Sequence, residues 1–440
     1  MSRLAIIGTG IAGLGCAHFL HRDYELTLFE QSDYAGGHTN TVTVTEPGTG
    51  RQLPIDTGFM VFNTVTYPLL TRLFHELAVP LKPAPMSFAV RDDVTGLEWC
   101  GSSLQHLFVQ RRNLFNPRFL RLLATIDRFN RDAVAALNDP ALTALTVAEY
   151  VLARGYGEDF LRLYLGPMAG AVWSTDAERL EDFPAVTVLR FFHNHGFLGL
   201  HTQHPWLTVD GGAREYRDRL IAPWRNRIRL QRRALQVSRP AGGGVRVRTD
   251  DGQEHRFDHL ILATHADQAL ALLADPTEAE ARLLRPFHYQ PSVATLHTDA
   301  TVMPRTRRAW SAWNVQLAAT PAGSQPATHY WMNELQGVSP HENYFVSINR
   351  PEAIADARVL RRMAYAHPLF THDTLRAQQE LPGLNAAAGG TTETYLAGSY
   401  FRYGFHEDAF RSAVHLCEQL LQRDPWVRTG SNVGRAAAAA

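Results

Sequence analysis

The sequence is poor in lysine and cysteine, carries no net charge, and has no long apolar run. Forty-three basic side chains are matched by forty-three acidic ones over 440 residues, which removes the one-signed field that a general nucleic-acid binder needs. No stretch is long and apolar enough to span a bilayer, so an integral membrane protein is not expected. Cys16, Cys100 and Cys417 are the only cysteines. They lie far apart and show no paired spacing, so neither a disulfide framework nor a zinc site is expected. That usage fits a reducing cytoplasm, and residues 3–8 already read as a strand entering a glycine turn, with no charged and apolar leader ahead of it. Lys82 is the only lysine.

What the sequence does have begins at its N-terminus. RLAIIG (3–8) reads as a buried strand, GTGIAG (8–13) as a turn, the residues through Cys16 and Leu20 as a helix, and ELTLFE (25–30) as a second strand. Gly8, Gly10 and Gly13 form G-x-G-x-x-G: the first permits a tight turn, the second lets a pyrophosphate approach backbone, and the third allows close helix packing. The helix N-terminus then offers free N–H groups to an anion. Glu30 closes the second strand as the acid expected to take a ribose hydroxyl. A glycine turn alone is weak evidence, but strand, turn, helix, strand and acid in this order make a dinucleotide site the expectation.

Directly after Glu30 come Gly36, Gly37, His38 and Thr39, and from here the chain resembles the FAD-binding amine oxidase and phytoene desaturase superfamily. The resemblance implies that this glycine pair and its His-Thr lie against the phosphates of a non-covalent FAD. It implies that Thr57, Gly58 and Phe59 approach the flavin, that Ala234 opens a strand touching adenine, and that Ala263 ends a strand returning to the nucleotide sheet. Ser399, Phe405 and His406 match its C-terminal motif, whose helix N-terminus points at the flavin ring. The fold implied is α/β: a Rossmann-type FAD-binding domain with a second α+β substrate domain, an antiparallel sheet flanked by helices. The expected FAD-binding domain is discontinuous, from residues 1–90, 205–272 and 385–435, and the substrate domain takes 91–204 and 273–384. Strand-like runs SVATLHT, THYWMNEL and YFVSIN between 290 and 350 agree, as does helix periodicity in 101–200. Asp251-Gly252 signals a hairpin, and 436–440 is an alanine run expected to fray.

Matching stretches across the chain, among them 36–42, 56–63, 183–198, 206–216 and 404–413, are more similar to a subgroup encoded beside cyclopropane-fatty-acid synthase-like methyltransferases and implicated in furan fatty acid synthesis. This resemblance implies a fatty acyl substrate, free or in phospholipid, and such a methyltransferase as partner. Four readings stay open: acyl desaturation, double-bond isomerisation, amine oxidation, and a non-catalytic FAD-bound partner. Residues 290–315 lack the lysine that many amine oxidases of the superfamily place beside flavin, and no cysteine lies between Gly398 and Asp408 for covalent attachment.

An acyl chain needs an apolar pocket. The candidates are Phe62, Trp173, Phe192, His195, Tyr400 and Tyr403, together with Phe191, Phe197 and Trp206, about half of them expected to be plain core. His193-Asn194-His195 reads as strand, its alternate histidines lacking further ligands, so no metal site is expected. His406 and Glu407 are the candidate proton-transfer residues, with helix capping as the alternative for Glu407 or Asp408. Residues 107–131 carry six arginines and one acid among phenylalanines and leucines. They read either as a peripheral contact with an anionic membrane at its inner face or as a solvated arginine face over a buried stripe.

Overall fold

Leu4, Ala5 and Ile6 have no exposed surface, and a strand buried on both faces belongs in a parallel sheet covered by other layers. The computed structural model, which describes residues 1–175, 177–199, 202–320 and 323–427, contains that sheet. Its strands run in the order Thr394–Leu396, His259–Leu262, Arg3–Ile7, Glu25–Phe29, Ile228–Arg229, and every neighbouring pair is parallel. The central strand sets Leu4 beside His259 and Arg3 beside Glu25. The sheet is therefore assembled from distant stretches of chain.

One side carries the helices Ile11–Leu20 and His406–Leu421. They pack so tightly that a Cβ on Gly15 would lie 2.8 Å from the Phe410 ring. The other side carries a three-stranded antiparallel sheet, Ala234–Ser238, Val245–Thr249 and Glu254–Phe257. The hairpin at Asp251-Gly252 forms as expected: Thr249 Oγ1 donates to Asp251 Oδ1 at 2.6 Å, and Gly252 takes the left-handed φ of +79°. Leu283, Leu284, Ala377 and Leu381 share a core with Ala5, Leu260 and Leu262. Residues 278–284 and 372–384, assigned from sequence to the substrate domain, thus pack with the parallel sheet. The strand Phe88–Asp92 crosses the boundary drawn at residue 90.

The second sheet has seven strands in the order Val359–Leu369, His288–His297, Phe345–Ile348, Gly323–Trp331, Trp313–Thr320, Phe88–Asp92, Leu97–Cys100. All pairs are antiparallel except Trp313–Thr320 with Phe88–Asp92. Helices from residues 104 to 194 close over it around Phe119, Phe129, Phe160, Leu165 and Leu189. The fold is α/β, a parallel Rossmann-like sheet joined to a mixed, mostly antiparallel one.

Two sequence expectations change in detail. The run THYWMNEL is strand only to Trp331, then a turn of helix, Met332–Leu335. Asn333 reverses the chain there by donating to the carbonyls of Ser339 and Glu342 and accepting from Tyr344 N–H. His193 and Asn194 end a helix, Ala185–Asn194, with His195 as its C-cap, rather than a strand. Phe191, Phe192 and His195 are buried while His193 is exposed, the i, i+1, i+4 spacing of a helix face. Among the described residues no cluster of His, Cys, Asp or Glu could hold a metal ion, and no helix is long and apolar enough to cross a membrane. The 436–440 run lies outside the described residues.

Candidate functional site

The carboxyl ends of the parallel strands open into one cavity of about 770 Å³, the place where an open α/β sheet binds ligands. The three turn glycines divide the work. Gly8 has φ +99°, and a Cβ there would lie 2.6 Å from the Ala263 carbonyl oxygen; one on Gly13 would lie 2.0 Å from the Gly8 oxygen. Both let the turn pack on itself. A Cβ on Gly10 would meet nothing within 4 Å, so Gly10 leaves open the space in front of the helix. That helix has no side-chain N-cap, and its first amides stay available to an anion.

Glu30 is fixed beside this turn. Its Oε2 accepts from Thr9 N–H at 3.1 Å and Thr9 Oγ1–H at 2.5 Å, and its Oε1 from Ser32 N–H at 2.9 Å. Gly37, at φ +57°, brings the next loop to Gly10, where a Cβ would sit 3.2 Å from the Gly10 Cα. Ala234, Ala263, Gly58, Ser399 and Phe405 line the cavity, as do Gly8, Gly10, Glu30, Gly37 and His38. Gly13, Gly36, Thr39 and Thr57 stand one layer behind it. Thr57 Oγ1 donates to the Asn40 carbonyl at 3.0 Å, and a Cβ on Gly36 would lie 2.7 Å from the Thr39 carbonyl oxygen and 3.1 Å from Arg217 Cδ.

Four histidines line the cavity, and burial holds all of them neutral. His38 and His265 are pushed down to about 4, His367 and His406 to about 3. His38 stacks on Tyr365 at 4.6 Å, and His265 lies parallel to Tyr289 at 4.2 Å. The His406 ring stacks on Phe59 at 4.0 Å. Its Nε2 is held by Thr39 Oγ1 at 3.1 Å and Tyr216 Oη at 3.0 Å, and those two hydroxyls bond each other. His406 therefore faces the cavity as a fixed neutral ring.

Glu407 takes a different place from the one its neighbour suggested. Its carboxylate accepts from Leu69 N–H at 3.1 Å and Leu70 N–H at 2.9 Å, capping the helix Pro68–Glu76 from outside. Burial pushes it up to about 7 against those bonds and Arg411. Asp408 caps its own helix by accepting from Phe405 N–H at 3.0 Å. Glu407 does not line the cavity.

Of the pocket candidates, Trp173 and Tyr400 line the cavity, with Phe191, Phe197 and Trp206. Phe62 and Phe192 do not. Both have no exposure; Phe62 packs edge-on to Phe74 at 5.0 Å and Phe192 on Phe197 at 5.9 Å. His195 and Tyr403 do not line the cavity: His195 is stacked on Phe191 at 3.8 Å, and the Tyr403 carbonyl accepts from Trp173 Nε1 at 3.2 Å. Reading the sequence alone missed Thr9, Tyr67, His265, Tyr289, Trp313, Tyr330, Tyr365 and His367. The alternation of Tyr365 and His367 on the strand Val359–Leu369 marks one face of a strand, a signal visible in the sequence.

The residues fit a dinucleotide: an uncapped helix N-terminus behind a bare Cα, a fixed acid at the second strand end, and a second helix N-terminus at His406. Beyond Phe59 and Phe405 the wall turns aromatic. Among the described residues lining the cavity, Glu30, Arg232 and Arg233 alone are Asp, Glu, Lys or Arg, and these belong to the glycine-turn end. Lys82 is elsewhere, on the strand Leu81–Pro83, paired with Asp210 at 2.8 Å.

The family model described as flavin containing amine oxidoreductase matches residues 11–324. Among solved structures the chain is similar to a CLA-producing fatty acid isomerase from P. acnes, with TM-score 0.66, 15% identity, and 96% of this chain and 98% of that one covered. It is also similar to putrescine oxidase bound to putrescine, with TM-score 0.66 and 13% identity, over 96% and 99% of the two chains. Cyclohexylamine oxidase from Brevibacterium oxydans IH-35A gives 0.65 and 16%, over 96% and 99%. At these identities the likeness is one of fold. No curated protein sequence matches significantly.

Proposed function

The chain belongs to the flavin-containing amine oxidoreductase family, and on that premise we propose that it is an FAD-dependent oxidoreductase acting on an uncharged fatty acyl chain, by desaturation. The observation that carries this reading is the wall beyond the glycine-turn end: Trp173, Phe191, Phe197, Trp206, Trp313 and Tyr330 line it, with no lysine, arginine, aspartate or glutamate among them. An ammonium or carboxylate in such a space would be desolvated without a partner, at a cost of several kcal/mol (order of magnitude). A hydrocarbon chain meets no such cost and gains from burial.

Gly10, the amides that open the helix Ile11–Leu20, Glu30 and Gly37 would hold the FAD phosphates and ribose non-covalently, and the turn from Ser399 to His406 would meet its flavin end. When bound, FAD supplies a two-electron acceptor for a hydride from a C–H bond. The protein's own part is positioning and exclusion of water. Desaturation releases a proton besides the hydride. Among the described residues the wall offers no carboxylate or amine to take it, so it would pass to one of the neutral imidazoles lining the cavity, His38, His265 or His367, His406 Nε2 being already engaged.

Isomerisation, the activity of one structurally similar protein, the fatty acid isomerase, would use the same wall and needs no external electron acceptor. Lipid mass spectrometry of cells with and without the protein, co-expressed with a cyclopropane-fatty-acid synthase-like methyltransferase, separates the readings. Loss of two mass units supports desaturation, and unchanged mass with shifted retention means isomerisation. Unchanged lipids, with the flavin bleached by amines under anaerobic conditions, would overturn the acyl reading.

A further inference from the structure

We propose that the tip of the helical region around Phe115 is an anchor that docks on an anionic phospholipid bilayer. Residues 107–131 do not present an amphipathic face to a membrane by their apolar stripe. The helix Pro117–Ala136 does not turn its apolar stripe outward: Phe119, Leu122, Phe129 and Ala133 are all buried. A helix lying flat on a membrane by that stripe would have to leave its own core. What remains outside is its N-terminal approach. Phe115 is 88% exposed and Leu104 75%, with Leu114 and Leu120 more than two-fifths exposed.

These side chains are held by ordered backbone. Leu114 and Phe115 end the short 3-10 turn Arg111–Phe115, and Asn116 caps the helix behind them by accepting from the N–H groups of Arg118 and Phe119. Leu104 opens the helix Leu104–Leu107, which the Phe108 ring pins edge-on to Phe119 at 5.8 Å. A phenylalanine held in water on a rigid turn contributes nothing to the fold, and its burial elsewhere is worth a large gain.

The charge around the tip selects the partner. Residues 101–126 contain Arg111, Arg112, Arg118 and Arg121 and no acid at all. Arg118 is neutralised by an ion pair with Asp159. Arg112 donates to the carbonyl oxygen of Gly96 at 2.9 Å; among the described residues neither Arg111 nor Arg121 has a carboxylate within ion-pair distance, though Arg121 is near enough to Asp159 to help hold its carboxyl low. Arg111, Arg112 and Arg121 therefore flank an exposed apolar tip in a stretch of chain without an acid, Asp159 being the carboxylate that Arg118 and Arg121 share. Anionic headgroups over a hydrocarbon interior complement both features at once. The anchor does not depend on the chemistry proposed above, though it would bring the protein to lipid-borne acyl chains.

The test is co-sedimentation of the full-length, flavin-loaded protein with vesicles of phosphatidylcholine alone or mixed with phosphatidylglycerol. Binding to the mixed vesicles at low salt, weakened by raising the salt, is expected, with little binding to phosphatidylcholine alone. Arg111→Gln and Arg121→Gln should each weaken it about fivefold, Arg111→Lys should restore it, and Phe115→Ser should weaken it at least about tenfold. All three positions are exposed, so the melting temperature and flavin absorbance should not change. Equal binding by wild type and Phe115→Ser, or none by wild type, overturns the proposal. So does a Phe115-dependent dimer in solution without lipid, which would make the tip a contact between copies of this chain.

Discussion

Replacing Gly10 by alanine should remove the flavin while leaving the fold intact, and replacing Gly13 should do the reverse. At Gly10 the backbone is extended, φ −63° and ψ 173°, which any residue adopts, and the added methyl meets no protein atom within 4 Å. The variant's stability without cofactor should therefore stay within about 1 kcal/mol of wild type, the scale of N-cap and glycine-entropy effects. The methyl does occupy the space that a diphosphate must enter to reach the helix amides. Losing one or two such charge-assisted bonds costs about 1.5–3 kcal/mol each, so FAD affinity should fall by at least about tenfold. At Gly13 the methyl would sit 2.0 Å from the Gly8 carbonyl oxygen, and the clash should cost about 3 kcal/mol, only partly offset by alanine's better helix propensity. The assay is FAD titration by fluorescence quenching on deflavinated protein, paired with urea unfolding of the same samples. Wild-type affinity in Gly10→Ala would refute the placement of the phosphates over this turn, whatever the stability of Gly13→Ala.

Other expectations concern the titratable groups. Glu407→Gln should keep turnover within about threefold while Glu407→Ala lowers stability by about 1–2 kcal/mol, the range for a lost cap; a thousandfold loss of turnover in the glutamine variant would restore a catalytic role. Because burial holds His406 near 3, the pH–rate profile of wild type should show no limb from this residue between pH 5 and 9. His406→Asn should leave that profile's shape unchanged, and a limb near pH 6.5 that vanishes in the variant would contradict the geometry. His297 and His329 are buried in the larger sheet on either side of Ser347 Oγ, at 2.7 and 2.6 Å, and burial pushes them down to about 4 and about 3. Both folded values lie below the unfolded one, so the stabilisation is complete above about pH 6.5 and is lost as pH falls towards the folded values. At pH 5 each should forgo about 2 kcal/mol. His329→Gln should flatten the slope of unfolding free energy between pH 6.5 and 5 by close to one proton, and an unaltered slope would refute its neutrality in the fold.

The parts of the site visible in the sequence are those where a residue answers to its own backbone or to near neighbours. Gly8, Gly10, Gly13 and Glu30 fall within one strand–helix–strand unit, and each is demanded by turn geometry or by the strand end. The layer of His38, Tyr365, His367, His265 and Tyr289 is another matter. It joins four segments separated by up to about 330 positions, and although period-two alternation shows that Tyr365 and His367 share a face, nothing local says what that face meets. The same limit explains Phe62 and Phe192, whose hydrophobicity suits a pocket wall and a core equally.

His406 and Glu407 show where that limit lies. Successive residues of a helix point about 100° apart, so once the helix beginning at His406 is recognised, one of the two at most can face a given cavity squarely. That much follows from the sequence. Which of them faces it is decided by the helix Pro68–Glu76, more than three hundred residues earlier, whose uncapped amides at Leu69 and Leu70 draw the Glu407 carboxylate to 2.9–3.1 Å. A free N-terminus on a neighbouring helix competes for an acid as strongly as an active site does. The raised carboxyl at Glu407 thus arises from burial in a structural role, against two bonds that by themselves lower it, and a perturbed acid at a cavity's edge marks catalysis only when its lone pairs are free to reach the reacting atoms.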